Sequence, residues 1–315
     1  MKNFVSTSLL CLGLTLSSSA FAETKVKTID AVYYNEDQTA NYLTTGDSYL
    51  DNWGDFDIQS RIRRKNVSPD SVKLFVKSQV RYLSPQATDR LQGCVDNLNK
   101  TIKTNGYNLP IPAKVPFMAT SMAEEGSAAA YTRKCGIVVN NRAIYGFGNL
   151  NELVAHELFH VLTRNDPKFK AKMYKLIGFK TLKKDIQVPE SFKNMMISNP
   201  DVDHHNSYAT FKINGKKVDC AMYIYSDEEW KGGTFFSYMK TGLVEIDKKK
   251  CTLVLKDGKP VIHSISDAED FYDKVGRETD YVIDPEEILA DNFSYVLCGS
   301  THSDLAKAIQ KAISK

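Results

Sequence analysis

The chain has 315 residues, of which 42% are hydrophobic, 25% charged and 10% aromatic. This composition is typical of a water-soluble globular protein and excludes a disordered, collagen-like or multi-span membrane protein. Lys and Arg number 41 against 38 Asp and Glu, and the resulting charge of +3 forms no basic stripe, so neither nucleic acid nor an anionic membrane is expected as a partner.

The N-terminus has the pattern of a secretory signal peptide. Lys2 provides a positive charge, a mostly apolar stretch follows over residues 4–16, and Ala20 and Ala22 fit the small-x-small cleavage signature. The apolar stretch is too short to span a bilayer, which needs about 20 apolar residues. We therefore expect residues 1–22 to be removed on export to the periplasm or the medium; the alternative is an uncleaved anchor.

Five cysteines follow this segment: Cys94, Cys135, Cys220, Cys251 and Cys298. Export favours disulfides, because compartments outside the cytosol are oxidising. The sequence leaves the pairing open, and a bridge between Cys220 and Cys251, which flank a segment rich in Tyr, Phe and Val, is the pairing we favour. No CxxC spacing occurs, so a cysteine-type zinc site is not expected.

Helical and extended patterns follow each other irregularly along the chain. Apolar residues recur at helical spacing over residues 69–104 and 151–164, and the last third is helical again over 268–275, 285–297 and 303–314. Tight turns are expected at 214–215 and 256–259. The predicted strands are 115–119, 127–132, 136–140, 208–213, 217–225, 243–246, 251–255 and 261–264. Helices and mostly antiparallel strands that do not alternate predict an α+β fold rather than a doubly wound sheet.

The strongest motif is His-Glu-Leu-Phe-His at 156–160, an HExxH pattern inside a predicted helix. Four residues at about 100° each return close to the starting direction, so His156 and His160 project from one helix face and can bind a single Zn²⁺. Glu157 lies beside the first histidine and can act as general base on a zinc-activated water. The apolar flanks indicate a buried helix, in which unpartnered imidazoles would be costly; the alternative is a chance match on an ordinary helix.

A catalytic zinc site takes a third protein ligand, which the predicted helix 285–297 can supply. Glu287 and Asp291 lie four residues apart on one face of that helix. We assign Glu287 as the third ligand and Asp291 as the acceptor that orients His156 through its other ring nitrogen. Three alternatives stay open: Glu287 serves only a capping box begun by Asp284, Glu286 is the ligand instead, or the ligand lies elsewhere.

The two motifs, HExxH at 156–160 and ExxxD at 287–291, resemble the gluzincin class of thermolysin-like zinc metallopeptidases. The resemblance covers these two helices, which are separated by about 127 residues (160 to 287), more than in thermolysin itself. It implies an exported enzyme that hydrolyses peptide bonds, with residues 23–108 as a largely helical N-terminal cover and 109–315 as the catalytic region. A small, mostly antiparallel sheet would pack on the HExxH helix, and the helical C-terminal part would carry the third ligand.

The resemblance also implies a Tyr or His that faces the zinc and stabilises the oxyanion of the tetrahedral intermediate. Tyr281, six residues before Glu287, is the first candidate, and His205 and Tyr208 are its rivals. His204, His263 and His302 are expected to be ordinary surface residues.

Substrate contacts are implied in the same way. An edge strand at 127–133 would pair with an extended peptide or protein substrate, the alternative being an ordinary strand of the sheet, and the aromatic-rich stretch 203–238 would line a pocket. The alternative function is that of an exported zinc-binding or interaction protein with a structural or inactive metal site; Glu157 favours the enzyme, since metal binding alone needs no base.

Overall fold

The computed structural model describes residues 26–146, 148–300 and 302–314. The predicted signal peptide, residues 1–22, lies outside the described residues. Within those three ranges, no helix combines the length and the apolar character needed to cross a membrane.

The elements alternate irregularly along the chain. The helices are α1 (Glu36–Thr44), α2 (Asp55–Ile62), α3 (Asp70–Gln79), α4 (Pro85–Thr104), α5 (Ala143–Gly146), α6 (Leu150–Asn165), α7 (Pro167–Leu176), α8 (Glu190–Lys193), α9 (Phe271–Val275), α10 (Pro285–Cys298) and α11 (Asp304–Ile313). The strands are β1 (Ala31–Tyr33), β2 (Val80–Arg81), β3 (Val115–Thr120), β4 (Ala130–Arg133), β5 (Gly136–Asn140), β6 (Lys180–Thr181), β7 (Ser207–Ile213), β8 (Lys216–Tyr225), β9 (Lys240–Asp247), β10 (Thr252–Leu253), β11 (Leu255–Lys256), β12 (Lys259–Pro260) and β13 (Ile262–His263).

The first sheet is mixed and has the order β1-β3-β5-β4, with β2 beside the end of β3. β1, β3 and β5 run parallel, whereas β2 and β4 are antiparallel to their neighbours. β3 is buried along its whole length, and β4 forms an edge. β1 and β2 both precede residue 108, so the segment expected to be an N-terminal cover contributes two strands to the sheet of the following region.

The second sheet is antiparallel, in the order β10-β9-β8-β7-β6, with β13 also on β9. Asn214 and Gly215 join β7 to β8 with φ angles of 48° and 73°, the positive values that a two-residue hairpin turn requires. The predicted turn at 256–259 also forms a hairpin, but it pairs β11 with β12, while β10 and β13 pair with β9.

The expected combination of helices and largely antiparallel strands is confirmed, although the strands form two main sheets rather than one. The largest core cluster joins residues of α4, α6 and α10 to the first sheet and to β7 and β8. The helix predicted over 69–104 is interrupted by β2, because residues 80 and 81 pair with the end of β3. Ser84 then caps α4 by accepting a hydrogen bond from Ala87 N at 3.1 Å.

The predicted disulfide between Cys220 and Cys251 is wrong in this structure, where all five cysteines of the described residues are free. Cys220 is buried in β8, and Cys251 directly precedes β10. Because β9 lies between β8 and β10, these two strands are two strand spacings apart, about 9–10 Å, and the two cysteines are separated accordingly. A disulfide needs Cα atoms within about 6.8 Å.

Candidate metal centre

The two motif helices, α6 and α10, pack directly against each other. Phe159 and Phe293 contribute to this contact with ring centroids 5.4 Å apart. α6 is buried over most of its length and also contacts the edge strand β4. The polar residues of the HExxH motif are therefore directed to the junction of α6, α10 and β4.

The start of α10 is fixed by Asp284 rather than by Glu287. The Asp284 carboxylate accepts a hydrogen bond from Glu286 N at 2.8 Å, and Pro285 is the first helical residue. The Glu287 side chain points instead to the two histidines of α6. Its position in the first turn is thus compatible with a role beyond capping.

His156, His160 and Glu287 place three ligand atoms close together. Glu287 Oε2 lies 3.0 Å from His156 Nε2 and 3.6 Å from His160 Nε2. Zinc bonds of 2.0–2.2 Å in tetrahedral geometry separate neighbouring ligand atoms by about 3.3 Å. His160 Nε2 is buried and has no hydrogen-bond partner among the described residues. Both observations fit a metal ion bound between these three side chains.

His156 is held from behind by Asp291. Its Nδ1 lies 2.8 Å from Asp291 Oδ1, while Thr279 donates its hydroxyl hydrogen to the other carboxylate oxygen. A carboxylate on Nδ1 fixes the ring orientation and leaves Nε2 as the ligand atom.

His160 is held in the same way by Glu286. Its Nδ1 lies 3.1 Å from Glu286 Oε1, which also accepts from the Thr163 hydroxyl. The Tyr174 hydroxyl donates to Glu286 Oε2 at 2.6 Å. Glu286, considered above as a rival ligand, therefore faces the far side of the His160 ring.

The charge balance of the site favours a cation. Burial lowers the pKa of His156, but hydrogen bonds to Asp291 and Glu287 raise it to about 10. Burial also acts against the protonated form of His160, whose pKa the carboxylates of Asp201 and Glu287 raise well above its usual range. The two imidazoles in turn hold the pKa of Glu287 far below its usual value, against the effect of burial. An excess of buried carboxylates around two imidazoles suits a divalent metal ion.

Glu157 lies near His160 and next to a second carboxylate, that of Asp201. Thr132 on β4 donates its hydroxyl hydrogen to Glu157 Oε2 at 2.7 Å and its backbone N–H to Asp201 Oδ1 at 2.6 Å. Ligand atoms of Glu157, His160 and Asp201 lie within 4.8 Å of one another. Burial raises the pKa of both carboxyl groups.

The segment 198–201 brings Asp201 to the site. The Arg61 guanidinium is completely buried and donates to the carbonyl oxygen of Ser198. Asn199 Nδ2 donates to Glu287 Oε1 at 2.6 Å, and Asn199 Oδ1 accepts from Asp201 N at 2.9 Å. The segment therefore supports a candidate ligand and the carboxylate beside the candidate base.

Tyr281 is near the metal centre. Its backbone N–H donates to Thr279 Oγ1, the same hydroxyl that contacts Asp291. Tyr281 lines a narrow pocket together with Asp201. Although 40% of the residue is exposed, removal from water and the carboxylates of Glu287 and Asp201 raise the pKa of its hydroxyl well above 10. The phenol is therefore protonated at neutral pH and can donate a hydrogen bond.

The two rivals of Tyr281 lie elsewhere. His205 stacks on Tyr223 with ring centroids 5.0 Å apart and lines a separate cavity of about 660 Å³. Tyr208 is buried in an apolar cluster on the second sheet. Neither lines the pocket that contains Tyr281 and Asp201.

The remaining predicted positions are distributed over the surface. His204 and His302 are exposed, and the half-buried His263 contacts Glu245 at 2.8 Å. β4, within the predicted edge strand 127–133, does lie at the edge of its sheet. The stretch 203–238 is divided, since its first residues line the large cavity and Phe235 and Phe236 line the narrow pocket.

Several residues of the site carry no signal in the sequence. Asn199, Asp201 and Thr132 come from loops or strands far from both motifs and reach the centre only through the fold. Glu286 is adjacent to Glu287, but the sequence does not reveal that the two carboxylates face opposite sides of His160. The pair of adjacent glutamates at 286–287 is the only local feature of the sequence that indicates both carboxylates.

Comparisons of the chain with models of protein families, with curated proteins and with solved structures found no match. The chemistry of the site is therefore inferred from its own residues.

Proposed function

We propose that this protein is an exported zinc-dependent metallopeptidase in which His156, His160 and Glu287 hold the ion and Glu157 is the general base. The observation that carries the proposal is the convergence of three ligand atoms, with a carboxylate behind each imidazole. Strand β4, which contacts α6, lies at an edge of its sheet, the position at which an extended substrate pairs with a sheet. Export rests on the sequence of residues 1–22.

The reaction is the hydrolysis of a peptide bond. A bound zinc ion would polarise the scissile carbonyl and lower the pKa of the attacking water. Thr132 holds Glu157 Oε2, which leaves Oε1 to accept the proton of that water. Glu157 then passes this proton to the leaving nitrogen as the C–N bond breaks, and the new C–O bond yields a carboxylic acid, which loses its proton to the released amine. Tyr281 donates its hydroxyl hydrogen to the developing oxyanion.

A zinc-binding protein without catalytic activity is the competing function. A structural zinc site has four protein ligands and no open position. Asp201 Oδ1, 4.0 Å from His160 Nε2, is the observation that favours this alternative. Against it, Asp201 groups with Glu157 and His160 rather than with the His156, His160 and Glu287 set.

The test combines zinc analysis with peptide hydrolysis. We expect one zinc per chain in the wild type and in Glu157→Gln, and none in His156→Ala. Hydrolysis of a mixed peptide library should fall about 10²- to 10⁴-fold in Glu157→Gln, since this change removes the base and keeps the ligands. Glu152→Gln is a matched control, because this carboxylate lies on the first turn of α6 and contacts Ser300.

The outcomes separate the two functions. Turnover retained by Glu157→Gln removes this residue as the base, and stoichiometric zinc without hydrolysis of any peptide supports the binding protein. Absence of zinc from the wild-type chain, even after zinc is supplied, contradicts both.

A further inference from the structure

One carboxylate oxygen of Asp201 accepts a hydrogen bond from the described residues, and the other does not. Oδ1 accepts the Thr132 N–H and lies 4.0 Å from His160 Nε2. Oδ2 accepts no hydrogen bond from any residue that the structure describes. The residue is 8% exposed, so a nearly buried carboxylate oxygen without a hydrogen-bond partner in the described chain lies close to His160 and Glu157.

The pocket that Asp201 lines is narrow and suited to a small cationic group. Its volume is about 50 Å³, and apolar walls are provided by Phe235, Phe236 and Ile283. No Lys or Arg of the described chain lines it, and its other carboxylate, Glu125, is already paired with Arg61. A carboxylate group of a ligand would find no positively charged partner among these described residues, whereas an ammonium group would find the carboxylate of Asp201.

Asp201 also occupies a backbone hydrogen-bond donor at the edge of the first sheet. In the antiparallel pair β4–β5, Asn140 N donates to Ala129 O, so the alternation of the ladder directs the N–H of Thr132 outward. An extended substrate would use such an outward N–H. Because Asp201 occupies it, a peptide lying on β4 loses a main-chain hydrogen bond at this residue. Pairing of a substrate along β4 is therefore interrupted at Thr132, which also contacts Glu157.

We propose that Asp201 binds the α-ammonium group of the substrate, and that the site removes residues from the N-terminus of peptides. This inference rests on the peptidase function proposed above. An α-nitrogen lies about 2.5 Å from the carbonyl carbon of its own residue, which matches a carboxylate within 4.8 Å of Glu157 and His160. The ammonium of a lysine side chain, at the end of four methylenes, would lie too far from the scissile carbonyl.

The first test measures binding without turnover. L-leucinamide and N-acetyl-L-leucinamide are titrated calorimetrically into zinc-loaded Glu157→Gln, which cannot hydrolyse them. We expect the free amine to bind about 10- to 100-fold more tightly, the range for a hydrogen bond to a charged group. Asp201→Asn, added to this background, should abolish the difference, because an amide oxygen can still accept the Thr132 N–H but carries no charge.

Asp203→Asn is the matched control, since its carboxylate lies two residues after Asp201 in the chain but contacts Arg164 and Lys170. It should keep the preference for the free amine. Equal binding of the two amides, no binding of either, or a preference that persists in Asp201→Asn would each overturn the role of Asp201.

The second test uses the wild-type chain and one peptide with either a free or an acetylated N-terminus. Release of the first residue from the free peptide alone supports the inference. Internal cleavage of both peptides overturns it and leaves the peptidase function intact. Cleavage of neither by a zinc-loaded chain counts against the peptidase function, and the titration then decides whether Asp201 binds an ammonium group.

Discussion

Glu286 is expected to set the zinc affinity although it is not a ligand. Its carboxylate accepts hydrogen bonds from His160 Nδ1, the Thr163 hydroxyl and the Tyr174 hydroxyl, all of them buried. Glu286→Gln keeps the volume but removes the charge, and it turns an NH₂ group toward at least one of these donors. Loss of such an outer partner costs about 10- to 100-fold in metal affinity, or about 1.4–2.8 kcal/mol.

Two other variants calibrate this effect. Asp291→Asn removes the corresponding partner of His156 and should weaken zinc binding by a similar factor. Glu287→Ala removes a ligand; a quarter of the 10–16 kcal/mol typical of a four-ligand zinc site is about 2.5–4 kcal/mol, or about 70- to 900-fold.

The assay is competition for zinc with a chromogenic chelator, accompanied by thermal unfolding of each metal-free variant. Unfolding of the metal-free chain separates an effect on the site from a general loss of stability. The misplaced amide of Glu286→Gln is expected to lower the free energy of unfolding by about 1–3 kcal/mol. A zinc affinity equal to that of the wild type would refute the role of Glu286 in orienting His160. A loss as large as that of Glu287→Ala would instead make Glu286 a ligand.

Two further predictions concern the residues considered for the oxyanion. Tyr281→Phe should lower kcat about 10²- to 10³-fold with unchanged zinc content, measured by steady-state hydrolysis and elemental analysis; an unaltered kcat would show that another group stabilises the oxyanion. Burial lowers the pKa of His205 to about 4 from 6.5, so the unfolded chain binds the proton of this residue more tightly than the folded chain does. The contribution of the neutral imidazole to the free energy of unfolding is therefore fully present above pH 6.5 and is lost as the pH falls toward 4. The loss is at most about 3 kcal/mol, at about 1.36 kcal/mol for each pKa unit. His205→Phe, which retains a ring against Tyr223, should lose less stability than the wild type between pH 7.5 and 4.5 in urea unfolding, whereas equal losses would contradict the burial of a neutral imidazole.

Local patterns in the sequence predicted the elements that carry the motifs with small errors. The helix expected over 151–164 spans 150–165, and the strand expected over 136–140 is found with those bounds. Apolar periodicity fixes such elements because the buried face of a helix or strand repeats every few residues. The weaker patterns near the N-terminus gave no prediction of α1, α2 or β1, which depend on packing against later segments.

Cysteine pairing shows the limit of such reasoning. Cys220 and Cys251 are close enough in sequence to suggest a bridge, but the insertion of β9 between their strands separates them. Strand order depends on contacts over the whole sheet, so the residues between two cysteines do not determine it.

The sequence by itself determined which side chains of the candidate centre share a helix face. Helical spacing places His156 and His160 on one face of a helix, and the same spacing places Glu287 and Asp291 on another. Only the tertiary structure decided that these two faces meet, that Glu286 lies behind His160, and that Asp201 comes within 4.0 Å of His160 Nε2. The physical reason is that the period of a helix orients neighbours a few residues apart, whereas the approach of segments 88 or 126 residues apart follows from how their apolar faces pack into one core.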